Sequence, residues 1–197
     1  MVQRLILASQ SPRRRQLLQQ AGWEFEVQPA DPQVEASVDP SCPPEEYVSR
    51  AAYGKAKSIA LTVSEGVILA ADTIAECHGE KLGKPIDRDD AARMLRIMSG
   101  CRHRVLTGVA LWHRPSDLTS CHVEQTTLEM DVLDEAQLQA YLDTGDWVGK
   151  AGAFGYQDGL DWVHVQEGSE SNVVGLPMEK LADWISRLEV LLGEISD

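Results

Sequence analysis

Leu5-Ile6-Leu7-Ala8-Ser9-Gln10-Ser11-Pro12-Arg13-Arg14 reads as a short buried strand, a tight turn and the opening of a helix. Four apolar residues in a row suit a strand covered on both faces. Ser11 is a good N-cap, and Pro12 follows at the first helical position, where its missing N–H costs nothing. Leu17, Leu18 and Ala21 supply an apolar face, and Gly22 is a natural stop. A strand feeding directly into a helix is the unit from which α/β proteins are built.

The rest of the chain continues the alternation. Glu45 to Thr62 carries Val48, Ala51, Ala52, Ala56, Ile59 and Ala60 at helical spacing. Val67-Ile68-Leu69-Ala70-Ala71 is a second apolar strand, which the pattern ends at Asp72. Asp87 to Met98 is helical and closed by Gly100; Arg104 to Trp112 and His122 to Val132 are two long strands. Asp134 to Leu142 forms a helix stopped by Gly145, Trp162 to Val165 a strand, and Pro177 to Leu192 a closing amphipathic helix. Pro29 to Pro44, with five prolines, reads as an irregular loop. These elements predict a mixed sheet covered by helices. No internal repeat, low-complexity tract or linker divides the 197 residues, so residues 1–197 read as one domain.

Eighteen Lys and Arg against 31 Asp and Glu give a net charge of −13. Such a surface repels polyanions at long range and argues against nucleic acid as a standing partner. No apolar stretch reaches the roughly 20 residues needed to span a bilayer. The N-terminal apolar run is too short for a signal peptide, and its basic cluster follows rather than precedes it. Cys42, Cys77, Cys101 and Cys121 form no CxxC pair, and the five histidines show no zinc spacing. Reduced thiols in a cytoplasmic protein are therefore expected.

Four places could carry chemistry. The helix opening at Ser11 presents free N–H groups and a partial positive charge, a ready site for phosphate. Arg13 and Arg14 in that first turn are unfavourable for an isolated helix, a conflict that an anionic ligand would resolve; a solvated basic helix start remains the alternative. Asp72-Thr73 follows an apolar strand, where a carboxylate could hold a divalent cation or orient a water, or could simply cap a turn. Lys55 lies beside an apolar helix stripe, where a lysine usually reaches out to solvent, and Lys84 sits in the rigid Gly83-Lys84-Pro85. Finally, Gly149-Lys150-Ala151-Gly152-Ala153-Phe154-Gly155-Tyr156-Gln157 is glycine-dense enough for backbone to approach a ligand. It is not a P-loop: the spacing from Gly145 to Gly149-Lys150 is one short, and Ala151 replaces the magnesium-binding Ser or Thr. No nucleophile elbow or Ser/His/Asp order points to covalent catalysis.

Taken in order, seven segments resemble the Maf family of nucleotide pyrophosphatases. They are Leu7 to Arg14, the Ala52 to Ala56 turn with Lys55, Ala71-Asp72-Thr73, Gly83-Lys84-Pro85, Leu106-Thr107-Gly108-Val109, Lys150 to Gln157, and Ser171-Asn172-Val173-Val174-Gly175-Leu176-Pro177. The resemblance implies an elongated, twisted mixed sheet with two lobes around a deep cleft, commonly as a homodimer. It implies hydrolysis of a nucleoside triphosphate to the monophosphate and pyrophosphate, with Mg²⁺ or Mn²⁺. By that analogy Asp72 is the catalytic base, and Arg14, Lys55 and Lys84 grip the triphosphate with Ser9, Ser11 and Arg13.

Three positions separate the subtypes. Relatives acting on dTTP and UTP carry Arg, Thr and Gln where this chain has Arg13, Thr73 and Gln157; those acting on 7-methyl-GTP tend to carry Trp at the first and Gln at the second. The resemblance therefore implies the dTTP/UTP type, with 7-methyl-GTP as the alternative. One departure stands out. Family members usually have a Val-Asp-Glu-like acidic pair before the second helix, and this chain has Ala30-Asp31-Pro32-Gln33-Val34-Glu35-Ala36. Glu35 is the expected second metal carboxylate beside Asp72, with Asp31 as the other candidate. The weakened loop also leaves room for a nucleotide-binding regulator of cell division that does not hydrolyse.

Overall fold

The computed structural model describes residues 4–196. Seven strands form one mixed sheet: β1 (Leu5–Leu7), β2 (Glu26–Val27), β3 (Gly66–Cys77), β4 (Glu80–Leu82), β5 (Arg102–Arg114), β6 (Thr119–Met130) and β7 (Val163–Glu167). Their order is β2-β1-β3-β5-β6-β7, with β4 paired to β3. The β1 strand pairs in parallel with both β2 and β3, whereas β3–β4 and β6–β7 are antiparallel. The helices are α1 (Pro12–Gln20), α2 (Gln33–Ala36), α3 (Pro44–Ala60), α4 (Arg88–Met98), α5 (Glu135–Thr144), α6 (Glu170–Val174) and α7 (Met178–Ser196). The expected mixed α/β architecture is present.

Local signals explain most boundaries. Ser11 caps α1 through its hydroxyl, with Pro12 at the first position. Asp87 caps α4 by accepting from Asp90 N, and Asp134 forms a full capping box with Gln137 at α5. Gly145 ends α5 in the left-handed region (φ 73°).

Two expectations need correction. The strand ending at Asp72 in fact continues to Cys77, so Asp72 lies within β3 rather than beyond it. Only its first half is purely apolar, but Ile74, Ala75 and Cys77 remain buried and keep the ladder going. The segment from Pro29 to Pro44 is not wholly irregular, because Gln33–Ala36 makes one helical turn, α2. The strands β2 and β4, and the turn α6, were not anticipated, because each is short and, unlike β1, lacks a continuous apolar run.

Packing divides the chain into two compact units: one holds residues up to Asp72, Thr107–Glu124 and the segment from Gly175 onward; the other holds Thr73–Leu106 and Gln125–Val174. Strand parity organises the first. Leu5, Leu7, Val67, Leu69, Ala71, Val109 and Leu111 bury one sheet face with Leu18 of α1 and Leu181, Trp184, Ile185 and Leu188 of α7. Ile6, Ala8, Ile68, Ala70 and Ala110 bury the other against Ala52, Ala56 and Ile59 of α3. The second unit has its own core, in which Ala75 and Leu82 meet Leu95 and Met98 of α4, Leu138 and Leu142 of α5, and Phe154.

Candidate active site

Parity also aims Asp72. It shares the α3-facing side of β3 with Ile68 and Ala70, so its carboxylate points toward the helix that carries Lys55. Lys55 Nζ lies 2.6 Å from Asp72 Oδ1 and 2.6 Å from Glu35 Oε2. Asp72 is 3% exposed and Lys55 9%. The lysine therefore does not reach out to solvent, as its helix stripe suggested, but bridges two carboxylates inside the unit. The other Asp72 oxygen, Oδ2, is buried and has no hydrogen-bond partner among the described residues.

Two glycines make this geometry possible. A Cβ at Gly108 of β5 would sit 2.2 Å from the Val48 carbonyl oxygen, so α3 rests directly on the strand backbone. Lys55 follows Val48 by two helical turns and so faces the same sheet. A Cβ at Gly54 would meet Val34 Cγ1 at 2.8 Å, which lets the α2 turn lie close on α3 and brings Glu35 to Lys55. Asp31 does other work: it is exposed and its Oδ1 accepts from Gln33 N at 2.8 Å, shaping the start of that turn.

Arg14 is also buried, at 9% exposure. Its Nε donates to Gly175 O at 2.7 Å and its Nη1 to Ser9 Oγ at 3.0 Å. Ser9 Oγ also accepts from Ser11 N at 3.2 Å, so the serines and the arginine form one connected turn. Burial lowers the Arg14 pKa, while the charges of Asp72 and Glu35 pull it back up and Arg13 lowers it further. Burial pushes Asp72 above its ordinary 3.8; Lys55 and Arg14 oppose that rise and Glu35 adds to it. Ser9, Ser11, Arg13, Arg14, Glu35, Lys55 and Asp72 thus all belong to the first unit.

Thr73, Lys84 and Gln157 belong to the second unit. Thr73 follows Asp72 in β3 and has the opposite parity. Lys84 is exposed just after β4, where Gly83 O accepts from Gly152 N at 3.0 Å and ties the two glycine-containing loops together. Gln157 is exposed in the turn Tyr156–Asp158. Lys150, in the same glycine-dense stretch, is buried and paired with Asp158.

One residue was missed from sequence. Half-buried Tyr47, in the first turns of α3, has its phenol pKa pushed up by burial and by the charges of Asp72 and Glu35. Nothing in Pro44-Glu45-Glu46-Tyr47 signals this, because the two acids come from distant segments.

The family model described as Maf-like protein matches residues 4–188. The chain belongs to the Maf-like family. A dTTP/UTP pyrophosphatase of Rhodopirellula baltica is 51% identical over 186 residues, covering 94% of this chain and 82% of that one. Another protein of the same name, from Anaeromyxobacter dehalogenans, is 46% identical over 191 residues, covering 95% of each. Among solved structures, a nucleoside-triphosphatase (dITP/XTP pyrophosphatase) of Mycobacterium abscessus aligns over 98% of each chain at 14% identity, with a TM-score of 0.43. No helix among the described residues is long and apolar enough to cross a membrane.

Proposed function

We propose that this chain is a nucleoside triphosphate pyrophosphatase acting on dTTP and UTP, releasing the monophosphate and pyrophosphate. The observation that carries the reading is the buried Asp72, held by Lys55 beside Glu35 and keeping one oxygen without a hydrogen-bond partner among the described residues. A structural ion pair does not need that free lone pair; a base does. Relatives that share up to 51% of their residues with this chain carry the name dTTP/UTP pyrophosphatase, and Arg13, Thr73 and Gln157 fit that subtype.

Phosphoryl chemistry asks a protein mainly for position and charge. Ser9, Ser11, Arg13 and Arg14 at the opening of α1, with Lys55 and Lys84, would hold the triphosphate. Asp72 would take a proton from the attacking water as its oxygen bonds to the α-phosphorus. The bond from that phosphorus to the bridging oxygen breaks, and pyrophosphate leaves with the electron pair. A pKa raised by burial makes Asp72 a better base than an exposed carboxylate. Asp72 and Glu35 are hard oxygen donors that fit Mg²⁺ or Mn²⁺, and the partnerless Oδ2 is available to such an ion. A bound divalent ion would neutralise phosphate charge and make a water more acidic. Thr73 and Gln157 would read the polar edge of the pyrimidine.

The reading extends to a single Maf-like domain acting as a cytoplasmic homodimer. The charge of −13 supports the lack of a standing nucleic-acid partner. Pyrophosphate release from dTTP, UTP, 7-methyl-GTP and the common triphosphates, with Mg²⁺ or Mn²⁺, tests it. Fastest turnover of dTTP and UTP with pyrophosphate as first product is expected. Preference for 7-methyl-GTP would change the subtype, binding without turnover would favour the non-hydrolysing regulator, and orthophosphate as first product would overturn the chemistry.

A further inference from the structure

A second cluster of ligating side chains lies wholly within the other unit. Cys77 ends β3, His78 follows it in the turn to β4, and Cys101 lies between α4 and β5. One ligand atom from each lies within 4.8 Å of the other two. The clustering is tertiary, since 24 positions separate Cys77 from Cys101, and no spacing rule reveals it.

The surroundings are built rather than incidental. Cys77 pairs with Glu80 across a two-residue hairpin, and His78 and Gly79 both have left-handed φ values of 54° and 82°. Such a turn is most relaxed with Asn or Gly at its first central position, so His78 is tolerated there at some cost. Glu76 clamps the turn: Oε1 accepts from Gly79 N at 2.6 Å and Oε2 from Arg104 Nε at 2.7 Å. The Cys77 thiol makes long contacts to carbonyl oxygens, 3.6 Å to Ile97 and 4.0 Å to Arg102, and interacts with the Cys101 side chain. Cys77 and His78 line a cavity of about 280 Å³ together with His103. His103 is 3% exposed, and its Nε2 has no hydrogen-bond partner among the described residues.

We propose that Cys77, His78 and Cys101 bind one thiophilic metal ion, Zn²⁺ foremost, with the fourth position open to the cavity. Two sulfurs and one imidazole nitrogen are a recurrent zinc donor set. With Zn–S near 2.3 Å, a tetrahedral site needs ligand atoms roughly 3.8 Å apart. Atoms already within 4.8 Å need close by only about 1 Å. Binding converts two thiols to thiolates and releases two protons, so the +2 ion is neutralised by its own ligands. The site is distinct in kind from Asp72 and Glu35: soft sulfur and imidazole select zinc-like ions, whereas carboxylates select Mg²⁺ or Mn²⁺. An ion here would fasten the β3–β4 hairpin to the segment entering β5. The inference does not depend on the proposed activity.

Reduced, metal-free protein titrated with Co²⁺ tests it, because thiolate–cobalt charge-transfer absorption reports sulfur ligation and ignores carboxylate sites. One equivalent of Co²⁺ should produce the band, and one equivalent of Zn²⁺ should abolish it. Cys101→Ser, at a half-buried position, should lose the band. His78→Asn, which suits the turn, should keep the fold and weaken binding at least about tenfold, since even loss of an outer partner typically costs that much. Circular dichroism and the melting temperature of each variant separate loss of the site from loss of the fold. Absence of the band in wild type, its survival in Cys101→Ser, or a chain two hydrogens lighter with Cys77 and Cys101 joined as a disulfide would each overturn the metal site.

Discussion

The Lys55 ammonium lies 2.6 Å from Oδ1 of Asp72, and both side chains are buried. A buried pair is weak evidence for stability, because the cost of desolvating both charges offsets much of their attraction. Here the pair is also asymmetric, with two carboxylates, Asp72 and Glu35, sharing one ammonium. Arg14, which feels the charges of both acids, brings a second cation to this buried group.

Asp72→Asn removes the proposed base while keeping shape. Turnover of dTTP should fall by about 10²–10⁴-fold, the usual contribution of a positioned general base. The far-ultraviolet circular dichroism should be unchanged. Wild-type turnover in the purified variant would take the base role away from Asp72.

Lys55→Met should destabilise the fold. It takes away the ammonium that bridges Asp72 and Glu35, and breaking a buried pair from one side typically costs about 3–5 kcal/mol. Urea unfolding at neutral pH measures the loss. Restoring much of it with the double variant Lys55→Met/Asp72→Asn would assign the cost to the stranded charge; equal loss in both would assign it to packing.

Gly54 and Gly108 separate site geometry from stability. Gly108→Ala forces a Cβ against a backbone oxygen and should cost about 1–3 kcal/mol or more in urea unfolding. Gly54→Ala meets only the Val34 side chain and gains about 1 kcal/mol of helix propensity. It should unfold close to wild type yet turn over dTTP more slowly, because α2 and Glu35 must shift. Unchanged kcat in Gly54→Ala would show that the placement of Glu35 does not matter.

His113 supplies a pH dependence away from the site. Its ring is buried, with Nδ1 2.7 Å from Ser116 Oγ, and burial lowers its pKa below 6.5. The folded protein therefore favours the neutral ring. That contribution is fully present above pH 6.5 and is lost as the pH falls through the depressed folded value. Urea unfolding from pH 7.5 down to 5 should show wild type losing stability relative to His113→Gln. Parallel curves would mean that His113 titrates alike in both states.

Much of this was legible in the sequence. The start of α1 was legible from the Ser11 cap, and the helices placed from Asp87 and Asp134 begin where those side chains cap the first turn. Asp72 was legible as a candidate acid, but its place inside β3 was not, since strand continuation beyond it depends on pairing with β4. Lys55 read as a surface lysine because a helix stripe does not reveal two carboxylates arriving from residues 35 and 72. The tight approaches at Gly54 and Gly108 were equally hidden, as each is set by a neighbour far along the chain.

The alternating sides of β3 carry a consequence for how this gene can drift. Between Val67 and Ala71 any mutation that swaps one small apolar residue for another leaves the Asp72 carboxyl aimed at α3. Deleting or inserting a single codon there would turn the acid to the opposite side of the strand. Composition in that stretch is negotiable; its length is not.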